Sequence, residues 1–210
     1  GEEERSDLIP SQMKAIEKGL EYLARKQNRD GSWDSGTRYR MHPGITALSC
    51  LAFMAGGNLP DEGKYADNVK RGLNFIVKCV GKNGLIQSTP QSNSMYGHGY
   101  ATLFLAEVYG MTGSRDVKPY LIKAVKLIVN SQKKDGGWRY TPDRRGNSDI
   151  SVTVVQLMAL RGARNAGIGV SSSVVDKGLD YIMRSICEDG GFSYTLSHKQ
   201  SGFARTEIGR

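Results

Sequence analysis

The sequence predicts an all-α protein assembled from about four helical hairpins in series, and two repeating features predict it. A glycine turn ending in an aromatic or apolar residue recurs as Gln27-Asn-Arg-Asp-Gly-Ser-Trp33, Lys82-Asn-Gly-Leu85, Gln132-Lys-Lys-Asp-Gly-Gly-Trp138 and Glu188-Asp-Gly-Gly-Phe192. Aligned on Trp33, Leu85, Trp138 and Phe192, the intervals are 52, 53 and 54 residues. Ahead of the turns, Gly19, Gly72, Ala124 and Gly178 keep nearly the same step, at 53, 52 and 54. Repetition at this period means supersecondary units stacked side by side, each burying the flank of the next. The units run roughly over 12–60, 61–115, 116–170 and 171–210, as one domain preceded by a tail over 1–11.

Each unit opens with an amphipathic helix. Ile16, Leu20 and Leu23 in the first unit correspond to Val69, Leu73 and Ile76, then Val125 and Ile128, then Val175, Leu179 and Ile182. Lys, Glu, Arg and Asp occupy the positions between, so one face meets water and one meets the core. The segment after each turn is different. Ile45–Ala55, Tyr100–Tyr109 and Val152–Leu160 are apolar almost all round, as expected of helices buried on most sides. Each unit thus reads as an outer helix packed on an inner one, with Asn58-Leu-Pro-Asp-Glu-Gly63 as the clearest linker. Thr46, Thr102, Thr153 and Thr206 recur near the inner-helix starts, where a threonine caps or back-bonds the first turn. No strand-like alternation is long enough to build a sheet. The fourth inner helix is only beginning at Ala204-Arg-Thr-Glu-Ile-Gly-Arg210. The expectation is a fragment of a longer array, or a chain that completes itself by association.

Composition narrows the function classes. At 210 residues the chain is long enough for a substantial core. No apolar run approaches the ~20 residues that span a bilayer. The chain opens Gly1-Glu-Glu-Glu-Arg without a secretory signal, and its compartment is left open. Cys50, Cys79 and Cys187 form neither a metal-type pair nor an even disulfide set. A net charge of +8 suits an anionic partner. Nucleic acid is not expected, because no helix-turn-helix, RNP-type or zinc-finger signature is present and the basic residues are spread along outer faces.

The Gln-x-x-Asp-Gly-x-Trp turn between an outer and an inner helix resembles the repeat of squalene–hopene cyclases, plant terpene cyclases and protein prenyltransferase β subunits. The resemblance covers residues ~12–210. It implies that the hairpins form an α/α toroid, complete or partial, around an apolar cavity, with isoprenoids the usual cargo. In it the turn residues Trp33, Trp138 and Phe192 are structural, locking one hairpin to the next.

The same resemblance tests the chemistry. Class II terpene cyclases protonate their substrate from an Asp-x-Asp-Asp-Thr motif, and the third unit reads Asp149-Ile-Ser-Val-Thr153. The first Asp and the Thr match, while Ser151 and Val152 replace the other two acids. A serine hydroxyl is far too weak an acid to protonate an alkene, and valine has no proton to give. The prenyltransferase zinc site resembles Asp-x-Cys at this helix start, and Asp149-Ile-Ser151 lacks the thiolate. The Gly-Cys-Gly-Glu-Gln segment of thioester-domain relatives is absent.

What remains is a register. Four residues before each anchor threonine stand His42, His98, Asp149 and Gly202. Stacked in order, these side chains follow one another along one rim of the cavity, where histidine can act as acid, base or ligand. Around them lie Arg38, Tyr39, Arg40, Tyr96, Tyr100, Arg139, Tyr140, Arg144, Arg145 and Arg205. Arginine matches phosphate or carboxylate in bidentate fashion, and inner-helix N-termini favour an anion. Two readings stand side by side. In the first, the rim is a diphosphate or acidic-sugar site, with His42, His98, Asp149 and Tyr96 as catalytic candidates. In the second, His42 and Asp149 are helix-start residues, His98 bonds a neighbouring loop, and the arginines are solvated. The expectation is a binding module for an apolar or isoprenoid-like molecule or a protein, with no cofactor. The alternatives are an enzyme acting on isoprenoid diphosphates with residues supplied by further repeats, and a polysaccharide lyase using Tyr96, His98 and Arg139; a divalent metal such as zinc is a separate, less favoured occupant of the rim.

Overall fold

The computed structural model describes residues 9–34, 36, 41–89 and 94–202. Seven helices lie among these residues: α1 (Pro10–Lys26), α2 (Pro43–Ala55), α3 (Ala66–Lys78), α4 (Ser94–Thr112), α5 (Lys118–Ser131), α6 (Ile150–Asn165) and α7 (Ser172–Arg184). The odd-numbered helices form an outer layer and the even-numbered ones an inner layer. Helix α4 lies between α2 and α6 and packs on α5 behind it. Its remaining side carries Tyr96, Tyr100, Leu103 and Glu107, all half-buried and spaced i, i+4, i+7, i+11. The main core runs unbroken from Leu20 and Trp33 to Leu160 and Ile168, shared by the first three hairpins, while Ile150, Tyr181 and Phe192 form a separate small cluster at the fourth.

The repeated residues lock the hairpins. Trp33 Nε1 donates to Leu23 O at 2.8 Å and Trp138 Nε1 to Ile128 O at 2.7 Å, each ten residues back on its own outer helix. Their backbone N–H groups donate to Thr46 Oγ1 at 3.1 Å and Thr153 Oγ1 at 3.0 Å on the inner helix. Gln27 Nε2 bonds Gly31 O in its own turn and Asn68 O on the next outer helix; Gln132 Nε2 does the same with Gly136 O and Val174 O. The turn glycines Gly31, Gly84 and Gly136 sit at φ +93°, +90° and +96°. A Cβ at any of them would lie 2.2–2.3 Å from the carbonyl oxygen of Arg71, Lys123 or Lys177. Both the left-handed backbone and the contact require glycine. Gly72 and Gly178 complete the lock from the other side, since a Cβ there would lie 2.3 Å from Cys50 Sγ or 2.7 Å from Leu157 Cδ2, with the six-membered rings of Trp33 and Trp138 next at 3.4 and 3.2 Å.

Two of the anchor threonines back-bond as expected, Thr102 Oγ1 to His98 O and Thr153 Oγ1 to Asp149 O. The side-chain caps are other residues: His42 on α2 and Asp149 on α6.

Two expectations change. Helix α4 begins at Ser94 rather than near Tyr100, because Gly97 and Gly99 serve contact rather than a turn. A Cβ on Gly44 would lie 2.9 Å from Gly97 Cα, and one on Gly99 would lie 2.6 Å from Val155 Cγ1, so these glycines let α4 approach α2 and α6 closely. After the fourth turn, a two-stranded antiparallel hairpin forms from β1 (Ser193–Thr195) and β2 (His198–Ser201), where no strand was expected. Three- and four-residue strands are too short to leave a period-2 signature. Arg38, Tyr39, Arg40, Arg205 and Thr206 lie outside the described residues.

Candidate functional site

The histidine–aspartate register does not form one row of equivalent side chains. His42 is half-buried and caps α2, its Nδ1 accepting from Gly44 N at 3.1 Å and Ile45 N at 3.4 Å. Burial lowers its pKa. His98 sits one turn inside α4 and is fully buried. Its Nδ1 accepts from Ile86 N at 3.1 Å, so Nε2 carries the proton and donates to Ala124 O at 3.2 Å. Burial pushes its pKa down to about 4, partly offset by the bond to Ala124. The imidazole ties the second turn to α5 and faces no solvent.

Asp149 organises its surroundings. It is fully buried at the start of α6, and its backbone N–H donates to Trp138 O at 2.8 Å. Its Oδ1 accepts from Val152 N at 3.0 Å and Ser151 Oγ at 2.6 Å, while Oδ2 accepts from Tyr140 Oη at 3.0 Å. Each hydroxyl has one proton, which fixes the direction of the next bonds. Tyr96 Oη donates to Ser151 Oγ, and Tyr194 Oη donates to Tyr140 Oη. Two hydroxyl relays, from Tyr96 and Tyr194, therefore both end on one carboxylate. The pKa values of Tyr96 and Tyr140 are raised. For Tyr96 the main cause is burial, with Asp149 adding to it; for Tyr140 burial comes first, then the Tyr194 hydrogen bond and Asp149.

Arginine closes the cluster on one side. The Arg139 guanidinium lies 5.4 Å from the Tyr140 ring centre and 5.7 Å from that of Tyr194, and Nη1 donates to Asn147 O at 3.1 Å. Tyr96 and Tyr140 are themselves 5.9 Å apart, ring to ring. Arg139, Asn147, Tyr194, Ser197 and His198 line a polar cleft of about 480 Å³. Tyr100 is half-buried on α4, and Arg144 and Arg145 are exposed. The loop that carries these two arginines is held by Lys133, whose buried Nζ donates to Asp143 O at 2.9 Å, Asp143 Oδ1 at 3.2 Å and Arg145 O. Hydrogen bonds from Thr141 and the Arg145 amide, with Lys133 adding to them, hold the Asp143 carboxyl down to about 2.

The structure thus joins Asp149, Tyr140, Tyr96 and Arg139, and sets His42 and His98 apart as a cap and an internal strut. Sequence reasoning missed Tyr194, and a signal for it exists. Tyr140-Thr141 and Tyr194-Thr195 both begin two residues after the turn aromatic, 54 residues apart. Lys133 gave no signal, because a lysine beside Lys134 in a charged turn reads as solvated. Among the described residues no three His, Cys, Asp or Glu side chains converge as a metal set.

Hairpins locked by Gln–Gly–Trp turns, with an aspartate capping the third inner helix, define an all-α repeat domain of the terpenoid-cyclase type. The family model for the squalene-hopene cyclase C-terminal domain matches residues 41–208, and the chain belongs to that family. A squalene–hopene cyclase of Bradyrhizobium diazoefficiens is 25% identical over 203 aligned residues, covering 84% of this chain. The chain spans 29% of the length of that relative.

Proposed function

We propose that this domain binds an apolar, isoprenoid-like ligand along the open side of its inner layer and does not protonate it. The observation that carries the reading is the use already made of Asp149. Its carboxylate is buried and accepts from a helix amide and two hydroxyls, the arrangement of a fixed acceptor rather than of an acid aimed at a ligand. The two following positions where a proton donor would be needed hold Ser151 and Val152.

The open side offers surface of the right chemistry. The inner helices leave Leu48, Tyr96, Tyr100, Leu103 and Met158 wholly or partly exposed, and each ligand methylene buried there contributes about 0.8 kcal/mol. Arg139 stands at one end of this surface and suits a phosphate or carboxylate head. Phenols whose pKa is raised are poor bases at neutral pH, which counts against a lyase that abstracts a proton with Tyr96. The reading requires no metal.

Thermal-shift titration with farnesyl diphosphate, geranylgeranyl diphosphate and squalene, with and without EDTA, tests this. A ligand at a hundredfold excess over its Kd raises stability by about 2.7 kcal/mol. The expected result is a shift with a prenyl chain that survives EDTA, shrinks in Tyr100→Ala and, for the diphosphates only, shrinks in Arg139→Ala. A shift that EDTA abolishes, or conversion of the prenyl substrate to a cyclic product, overturns it. No shift with any of the three overturns it in favour of a protein ligand.

A further inference from the structure

The three internal junctions share one geometry, and among the described residues its two halves also stand apart, one at the Gly190 turn and the other on α1. In all four turns the glycine N–H bonds the carbonyl three residues back, for Gly31, Gly84, Gly136 and Gly190 alike, at 2.9–3.1 Å. The first three glycines press on the carbonyl of a basic residue, Arg71, Lys123 or Lys177, that precedes the small residue of the next outer helix. Gly190 keeps the left-handed conformation, at φ +77°, yet no other described residue lies within 4 Å of where its Cβ would be. A cleft of about 610 Å³ opens beside it, lined by Ile186, Glu188 and Asp189 among others.

The other half of the junction is on α1. Lys18-Gly19 repeats the basic–small pair, and a Cβ on Gly19 too would meet no other described residue within 4 Å. Three residues either side of the small residue, units two to four are buried or partly so: Val69 and Leu121 on one side, Phe75 and Tyr181 on the other, are at most 7% exposed. Their counterparts on α1, Ile16 and Tyr22, are 46% and 54% exposed. The stripe that seats an outer helix on the preceding turn is therefore present and open on α1.

We propose that two copies of this chain dock head to tail, the Ile16–Gly19–Tyr22 stripe of one seating on the Gly190 turn of the other. Charge contributes in part, since α1 carries Lys14 and Lys18 while the cleft beside the turn is lined by Glu188 and Asp189 together with one cation, Lys199. Ile186 is compatible with the seat, because it stands four residues before its turn glycine, as Val80 does at the second junction. Such a contact joins two different surfaces, so it propagates into a ring or a filament rather than stopping at a symmetric dimer.

Analytical ultracentrifugation of the 210-residue chain, from low to high micromolar, tests the proposal. The wild type is expected to associate with rising concentration. Gly19→Leu fills open space on a helix and should fold normally, and Ile186→Asp changes a partly exposed side chain at the other end. Each variant alone should weaken association at least tenfold. Mixed, they retain one intact head and one intact tail, and should form a 1:1 dimer that grows no further. A wild type that stays monomeric throughout overturns the proposal. Variants that associate like the wild type, or a mixture that stays monomeric, overturn it equally.

Discussion

His98 makes acid sensitivity a quantitative prediction. The ring is fully buried, with Nδ1 accepting from Ile86 and Nε2 donating to Ala124, so only the neutral form fits. Burial lowers its pKa from 6.5 to about 4. Above pH 6.5 the ring is neutral in both the folded and unfolded chains, and its contribution is fully present. Between 6.5 and 4 the unfolded chain binds a proton that the folded chain refuses, so stability falls as pH falls. The slope approaches about 1.4 kcal/mol per pH unit, and the drop across the window is about 3 kcal/mol. The assay is urea denaturation at half-unit steps from pH 7 to 4, for wild type and His98→Asn. Asparagine keeps an acceptor near Nδ1 but does not titrate. Carboxylates elsewhere act on both proteins equally, so the difference between the curves isolates the imidazole. That difference should shrink by about 3 kcal/mol on acidification. Parallel curves, or an imidazole resonance titrating near pH 6.5 in the folded protein, would refute the reasoning.

Two further substitutions probe the scaffold and the loop beside the site. Gln132→Met removes the amide that joins Gly136 O to Val174 O across two units; it should cost about 1–3 kcal/mol in urea denaturation, and a loss below about 0.5 kcal/mol would show that the bridge is dispensable. Lys133→Met leaves Asp143 O and Arg145 O without their buried donor; amides over 141–147 should exchange faster with deuterium while α5 and α6 keep their protection, and an unchanged loop would mean that Lys133 does not hold it.

The cluster around Asp149 was only half legible beforehand. Asp149 and Thr153 stood out because they match a motif, and Arg139, Tyr96 and Tyr140 because they fall near an inner-helix start. Nothing in the sequence gave the direction of the hydrogen bonds, which follows from proton counts once Ser151 and the two tyrosine hydroxyls are in place. The register that grouped His42, His98 and Asp149 was real as spacing and misleading as environment. His98 shares the offset from its threonine, but α4 starts six residues earlier than the apolar run suggested and carries the ring inward.

The repeat was written plainly in the sequence for a physical reason. A left-handed glycine, an aromatic or apolar turn residue and an apolar stripe are local demands that recur at every junction, so each leaves the same mark every 52–54 residues. Hence the hairpin architecture, the outer and inner roles of the helices and the turn residues could all be read before any coordinates. The tertiary structure alone decided what depends on distant neighbours. Gly97 and Gly99 became helix because α2 and α6 pass close by, Lys133 became a buried strut because the 141–147 loop folds over it, and Tyr194 reached Tyr140 because a short hairpin turns it back. Contacts between residues far apart in sequence leave no period, and only packing reveals them.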